Sequence, residues 1–207
     1  MKHAASRAMF EHWNERRGTR FAPERGEIEP GRIRKILADS IILAVDPQAG
    51  HPFRLAGTRV CALLCRELKG EPFIELWAQA SRSLVRELVA IATHEAVGVV
   101  ASACARTADD PPLDLELLLL PLYHRGSLNE RLLGVLAPIV IPYWLGIRPI
   151  DGMEIGAFRH IAPATETIAA PRLVPARDTR GRDRFVVYEG GGRKPLNSGA
   201  IHIEPDN

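Results

Sequence analysis

A two-residue period in residues 113–123 constrains the fold more than any other feature of this sequence. Leucines there alternate with Asp114 and Glu116, a pattern typical of a strand with one face on a core and the other in solvent. The turn-forming pair Pro111-Pro112 comes directly before it. We therefore expect an antiparallel sheet in which Asp114 and Glu116 lie on the solvent side and do not form an acid–base pair.

Apolar runs on either side of this strand complete the predicted architecture. Residues 81–93 form the clearest helix, because apolar side chains recur there at helical spacing. Strands are predicted at residues 39–46, 53–60, 98–107, 113–123 and 131–140, and further helices or short helical pieces at residues 4–17, 32–37, 61–67 and 72–79. This order predicts an α+β fold, with a five-stranded antiparallel sheet and helices on one face.

The length of the chain allows one principal domain with extensions, since 207 residues can bury a single sizeable core. We divide the chain into an N-terminal helix and linker at residues 1–31, a sheet domain at 32–142 and a C-terminal extension at 143–207. Prolines recur along the extension, and only residues 184–188 look like a strand there. We expect the extension to be partly flexible.

Charge and cysteine content disfavour several classes of protein. The formal charge is only +2, whereas binding to a phosphate backbone usually needs a strongly basic balance. Cys61, Cys65 and Cys104 are an odd number without a CxxC pair, which fits a reducing compartment. No apolar run approaches the ~18 residues of a membrane span. We expect a cytoplasmic protein with neither nucleic acid nor membrane as a partner.

Several short motifs in the first two thirds of the chain occur in the order found in a known family. They are Trp13 with Arg16-Arg17-Gly18, Pro23-Glu24-Arg25, Ile28-Glu29-Pro30, Phe53-Arg54-Leu55-Ala56-Gly57-Thr58, Glu67-Leu68-Lys69-Gly70, Leu118-Leu119-Leu120-Pro121-Leu122 and Leu133-Gly134-Val135. The chain resembles, through these motifs, a bacterial family of single-domain PAS-like proteins, the fifth PAS family. The extension lies outside the resemblance.

The resemblance implies a five-stranded sheet with helices enclosing a small pocket, and a role in sensing or regulation without catalytic residues. Because no effector segment is recognised, we expect the signal to pass by noncovalent contact to a regulatory protein partner. A small-molecule ligand would lie against apolar residues of the sheet and the long helix. Candidate lining residues, which could equally be core, are Leu55, Trp77, Leu88, Leu117 and Tyr123. The alternative is a structural interaction protein whose core is filled.

Two residues are candidates for holding a chromophore. Cys65 falls where flavin-binding light sensors of the PAS type carry a reactive cysteine, but Leu64 and Lys69 replace the flanking amides, so we favour a small buried cysteine. His94 ends the long helix and could ligate haem, although stabilising its own helix C-terminus is the simpler interpretation. We predict no cofactor, and we expect the protein to be colourless.

Two further functions remain as alternatives. The pair Arg16 and Arg20 fits the RxxxR element of cyclic di-GMP-binding PilZ domains, but the second half of that motif is incomplete at Asp39-Ser40. An enzyme is the other alternative, although the sequence has no G-x-S-x-G, phosphate loop or HExxH spacing. We therefore expect a protein that is not an enzyme and that holds no metal.

The N-terminal helix carries an apolar stripe of Met9, Phe10 and Trp13, and this stripe must be covered. We predict that the helix forms part of a homodimer interface through these three residues. The alternative is that the helix covers the sheet of its own chain.

Overall fold

The computed structural model of the chain describes residues 1–107, 110–124 and 127–161. Within these residues the helices are α1 (Ala4–Arg17), α2 (Thr58–Leu64) and α3 (Gln79–His94). The strands are β1 (Ser40–Ala44), β2 (Phe53–Ala56), β3 (Gly98–Arg106), β4 (Leu113–His124), β5 (Ser127–Pro138) and β6 (Gly152–Ile161). Short 3-10 helices lie at Arg25–Glu27, Arg34–Asp39 and Phe73–Leu76. The predicted strand at residues 184–188 lies outside the described residues.

The strands form one antiparallel sheet in the order β2-β1-β5-β4-β3-β6. The long hairpin of β4 and β5 occupies its centre, where Leu118 lies opposite Val135. Strand β1 returns to pair with β5, and Ile41 lies opposite Gly134. The predicted antiparallel α+β fold is confirmed.

The sheet has six strands, so the prediction of five was wrong. The sixth, β6, pairs with β3 along its length, from Gly98 opposite Ile161 to Ala105 opposite Met153. It is an edge strand on which Met153 is buried and most other side chains are exposed. Such a strand has little apolar alternation, which is why its sequence did not indicate it.

Helices lie on both faces of the sheet, which corrects the prediction of a single helical face. The central strand β4 is buried on both sides, so Leu117 and Leu118 both need covering. Helix α3 packs on one face of the sheet through buried side chains about one turn apart, such as Val85 and Leu88. Helix α1 packs on the other face. Helix α1 ends at Gly18, whose φ of +57° favours glycine.

Two apolar cores result, one on each face. The α3 core contains, among others, Ile41, Leu43, Phe53, Val60, Phe73, Trp77, Val85, Leu88, Leu115, Leu117, Leu136 and Trp144. The α1 core contains Ala5, Met9, Trp13, Ala22, Ile33, Ile36, Val100, Leu118, Leu120, Leu122, Leu133, Val135 and Ala137. No helix in the described part of the chain is long and apolar enough to cross a bilayer.

Strand β2 is shorter than predicted, because it ends at Ala56 and α2 begins at Thr58. Gly57 between them lies against the last 3-10 turn before β1. A side chain on Gly57 would overlap the carbonyl oxygens of Leu37 and Ala38. The chain therefore needs glycine here for close packing of two backbones.

Candidate functional site

The five predicted pocket residues do not lie around one cavity. Trp77, Leu88 and Leu117 belong to the α3 core, where each is almost completely buried. Leu55 and Tyr123 lie on the opposite side of the sheet, beside the α1 core. The expected pocket between the sheet and α3 is therefore not assembled from this set.

Aromatic side chains occupy the α3 core. The Phe53 and Phe73 rings meet edge to face with centroids 5.6 Å apart, and Phe73 meets Trp77 in the same way at 5.7 Å. Trp77 is 1% exposed, and its Nε1 has no hydrogen-bond partner in the described structure. These three rings fill space that a ligand of the predicted kind would need.

An apolar cavity does occur on the α1 side of the sheet. Its volume is about 270 Å³, and one wall is the chain between α1 and β1. We call residues 25–37 the roof segment and this cavity the roof pocket. Its lining residues are Arg25, Gly26, Ile28, Pro30, Ile33, Leu37, Ser40, Ile42, Leu55, Leu122 and Leu133. Leu55, at 40% exposure, is the one predicted pocket residue among them.

Ion pairs and hydrogen bonds hold the roof segment against α1. The Glu29 carboxylate lies 3.1 Å from Arg16 Nη2, and the Glu29 backbone N–H donates to His12 Nε2 at 3.2 Å. Nearby, Glu27 pairs with Arg20 at 2.9 Å. The segment that covers the roof pocket is thus fixed at several points along its length.

His12 serves the roof segment as a neutral acceptor. The residue is buried, and burial lowers the pKa of its imidazole below the ordinary value, as does the charge of Arg16. Protonation would place a hydrogen on Nε2, which now accepts from Glu29. This hydrogen bond between α1 and the roof segment therefore requires uncharged His12.

The end of the roof segment is connected to helix α2 on the other face of the sheet. Leu37 lines the pocket, and two residues later the buried Asp39 carboxylate pairs with Arg59 of α2. The other carboxylate oxygen of Asp39, Oδ1, has no hydrogen-bond partner in the described structure. One short 3-10 helix, Arg34–Asp39, thus contacts the roof pocket at one end and α2 at the other.

The arginine pair considered as an alternative cyclic di-GMP element is not available as two free arginines. Arg16 and Arg20 are engaged by Glu29 and Glu27, and both pairs belong to the attachment of the roof segment. Asp39, at the incomplete second half of that motif, is buried beside Arg59. These residues therefore have structural roles.

The candidate chromophore ligands lie outside the α3 core. Cys65 is exposed in the turn after α2, which corrects our expectation of a buried cysteine. His94 is exposed at the last position of α3, where a histidine can interact with the helix C-terminus. Among the described residues, no group of three or more histidine, cysteine or acidic side chains could hold a metal ion.

The stripe on α1 faces its own sheet. Met9 and Trp13 are buried in the α1 core, and Trp13 Nε1 donates to the Pro121 carbonyl oxygen at 2.7 Å. Phe10 is partly buried and stacks on Trp13, with ring centroids 6.0 Å apart. Met9 and Trp13 therefore cannot serve the predicted dimer interface while α1 is docked. The structure has the alternative arrangement, in which the helix covers its own chain.

Glu116 is buried, which corrects its predicted place on the solvent side, whereas Asp114 is exposed. The backbone N–H groups of Lys2 and His3 donate to the two oxygens of the Glu116 carboxylate. Burial would raise the pKa of this carboxyl, but these hydrogen bonds outweigh burial and lower it. Glu116 therefore fixes the start of α1 to the sheet.

A larger groove, of about 670 Å³, lies beside Glu116 at the start of α1. Exposed residues of both charges, among them Lys2, Asp114 and Arg159, contribute to its walls. The roof pocket has mostly apolar walls, and binding sites for small molecules are usually of that kind. We therefore take the roof pocket as the candidate site.

Comparisons with known proteins point to one family. A family model described as PAS domain matches residues 1–137. No curated protein matches the sequence.

Solved structures with some similarity to this chain include LOV proteins and a PAS domain. They include RsLOV D109G, with a TM-score of 0.41, 16% identity and coverage of 53% of this chain and 67% of that chain. The Rhodobacter sphaeroides LOV protein has a TM-score of 0.40 and 16% identity, and the match covers 54% of this chain and 68% of that chain. The PAS domain of an HTR-like protein from Haloarcula marismortui has a TM-score of 0.38 and 18% identity, and the match covers 52% of this chain and 89% of that chain.

Proposed function

Because the chain belongs to the PAS domain family, whose model matches residues 1–137, we propose that it is a sensory domain that binds a small apolar molecule in the roof pocket. Domains of this family are generally sensory or signalling modules. The bound state is passed to a regulatory protein partner by noncovalent contact. We place this exchange in the cytoplasm, in keeping with the odd number of cysteines.

One observation supports this proposal above the others, namely the apolar cavity of about 270 Å³ beneath the roof segment. A cavity of ~150 Å³ accepts benzene, so this volume suits a ligand of roughly ten non-hydrogen atoms. Ile28, Ile42 and Leu55 are all partly exposed to it. A ligand would remove their apolar surface from water, which contributes about 25 cal/mol per Å².

The connection from the pocket to α2 supports a signalling role. A ligand that moves Leu37 also moves the 3-10 helix Arg34–Asp39, whose last residue pairs with Arg59 of α2. Helix α2 lies on the opposite face of the sheet. Occupation of the roof pocket can thus change the surface that a partner meets on either face.

Exposed apolar side chains after β5 support a protein partner. Val140, Tyr143 and Ile147 are all strongly exposed, and Tyr143 reaches 80%. Exposed apolar groups close together in sequence are typical of interaction surfaces. A homodimer is a further part of the proposal, and Phe10 is the one residue of the predicted stripe that α1 leaves partly exposed.

A structural interaction protein is the second candidate, and the filled α3 core favours it.

Titration calorimetry with 1-octanol separates the two functions. We expect 1-octanol to bind the unmodified chain, and Leu55→Trp to abolish binding by filling the mouth of the roof pocket. Ile147→Trp, at a more exposed apolar site away from the pocket, is the control and should bind normally. Equal binding to all three proteins, or to none, would overturn the proposed site.

A further inference from the structure

Arg25 lies at the mouth of the roof pocket without an acidic partner. It begins the 3-10 helix Arg25–Glu27, its side chain is exposed, and it belongs to the pocket lining. Within the part of the chain that the structure describes, no ion pair or hydrogen bond engages its guanidinium. A cation in this position is therefore available to a ligand.

The two acids of the roof segment, Glu27 and Glu29, have other partners. Glu27 is bound by Arg20 through two contacts of 2.9 Å to its carboxylate oxygens. Glu29 lies between Arg16 at 3.1 Å and Arg32 at 3.7 Å. These contacts occupy both carboxylates of the roof segment, so neither of them pairs with Arg25 at the pocket mouth.

The side chains inside the roof pocket offer no free hydrogen-bond donor to an anion. Besides Arg25, Ser40 is the one polar side chain of the lining, and its hydroxyl donates to the Ile36 carbonyl oxygen at 2.8 Å. The deep walls, formed by Leu122 and Leu133, are buried and apolar. Recognition of an anionic group can therefore occur only at the mouth, where water still reaches.

We propose that the roof pocket binds a short aliphatic monocarboxylic acid, with its tail among the leucines and its carboxylate on Arg25. This inference rests on the proposed function, since it assigns the ligand class of the same pocket. A guanidinium matches a carboxylate with two parallel hydrogen bonds. One cation balances one negative charge, which fits a monoacid better than a phosphate.

The location of the charge keeps the cost of binding low. At the mouth of the pocket the carboxylate stays partly hydrated, so little of its hydration is lost. The tail takes the apolar volume, and octanoate, with about ten non-hydrogen atoms, has the size that the cavity allows. Neither end of such a ligand lacks a partner.

The test compares octanoate with 1-octanol, which has a tail of the same length and no charge. Calorimetry near neutral pH measures both on the unmodified chain, on Arg25→Gln and on Arg25→Glu. We expect octanoate to bind the unmodified chain about tenfold more tightly than 1-octanol, because charge-assisted hydrogen bonds are the stronger kind. Arg25→Gln should remove this preference and Arg25→Glu should reverse it, with 1-octanol unchanged in both.

Arg34→Gln is the matched control, because Arg34 is an exposed arginine of the same segment that does not line the pocket. It should keep the full preference for octanoate. Equal affinity of the unmodified chain for both probes, or an unchanged preference in Arg25→Gln, would refute a carboxylic acid as the ligand class. Neither result would refute the roof pocket as a binding site. Failure of both probes to bind the unmodified chain would refute the roof pocket itself.

Discussion

Replacing Trp13 by alanine tests whether α1 belongs to the core or to a dimer interface. Trp13 is 1% exposed, and its ring packs on Phe10 and under the Arg17 guanidinium, 5.4 Å from the ring centre. Truncating a buried tryptophan costs about 3–5 kcal/mol. Part of this cost arises because the Pro121 carbonyl loses its donor.

Trp13→Phe divides the cost into two parts. It keeps a six-membered aromatic ring but removes the smaller ring of the indole together with the donor to Pro121, so we expect a loss of about 1–3 kcal/mol. Urea unfolding measures the free energy of unfolding of both variants. On heating, Trp13→Ala should lower the melting temperature by about 6–20 °C, at roughly 2–4 °C per kcal/mol. Sedimentation velocity on the same samples reports the oligomeric state.

One result would refute the placement of α1. If Trp13→Ala changes the free energy of unfolding by less than about 1 kcal/mol and converts a dimer into a monomer, the helix is an interface and its packing on the sheet is wrong.

Two further predictions concern the segment between α1 and α2. Gly57→Ala should destabilise by about 1–3 kcal/mol or more in urea, because the added methyl overlaps the Leu37 and Ala38 carbonyl oxygens; an unchanged midpoint would contradict this. Acid should weaken the fold, because burial lowers the pKa of His12 in the folded chain and the unfolded chain therefore takes up the proton first. The contribution of neutral His12 to the free energy of unfolding is complete above pH ~6.5, the ordinary pKa of histidine, and falls as the pH drops below it. Unfolding at pH 7.5 and 5.5 measures the change, and equal or greater stability at 5.5 would contradict it.

The fold was largely predictable because its strongest local patterns are also its central elements. Strand β4 and helix α3 lie near the predicted bounds of residues 113–123 and 81–93. Strand β6 was missed because edge strands need no apolar face. Glu116 was misplaced for another reason. Its hydrogen bonds come from residues 2 and 3, more than a hundred positions earlier in the chain, and no local pattern reports such a contact.

The candidate site was less predictable than the fold. Trp77, Leu88 and Leu117 were chosen as apolar residues near the sheet, but periodicity does not distinguish the wall of a pocket from a filled core. The roof pocket depends on a linker rich in proline and glycine. The spaced apolar residues Ile28 and Ile33 in that linker were the available indication, because a fully solvated loop has little use for them.

The pairing of distant segments also affects how the protein is made. Trp13 and its acceptor Pro121 are separated by 108 positions, and β1 finds its second partner only when β5 exists. At a synthesis rate of ~5–20 residues per second, α1 stays without its sheet for about 5–20 s. During this time Met9 and Trp13 are open to chaperones and to aggregation. Substitutions that delay the β4–β5 hairpin will therefore lower the yield of protein in the cell even where the finished fold is equally stable.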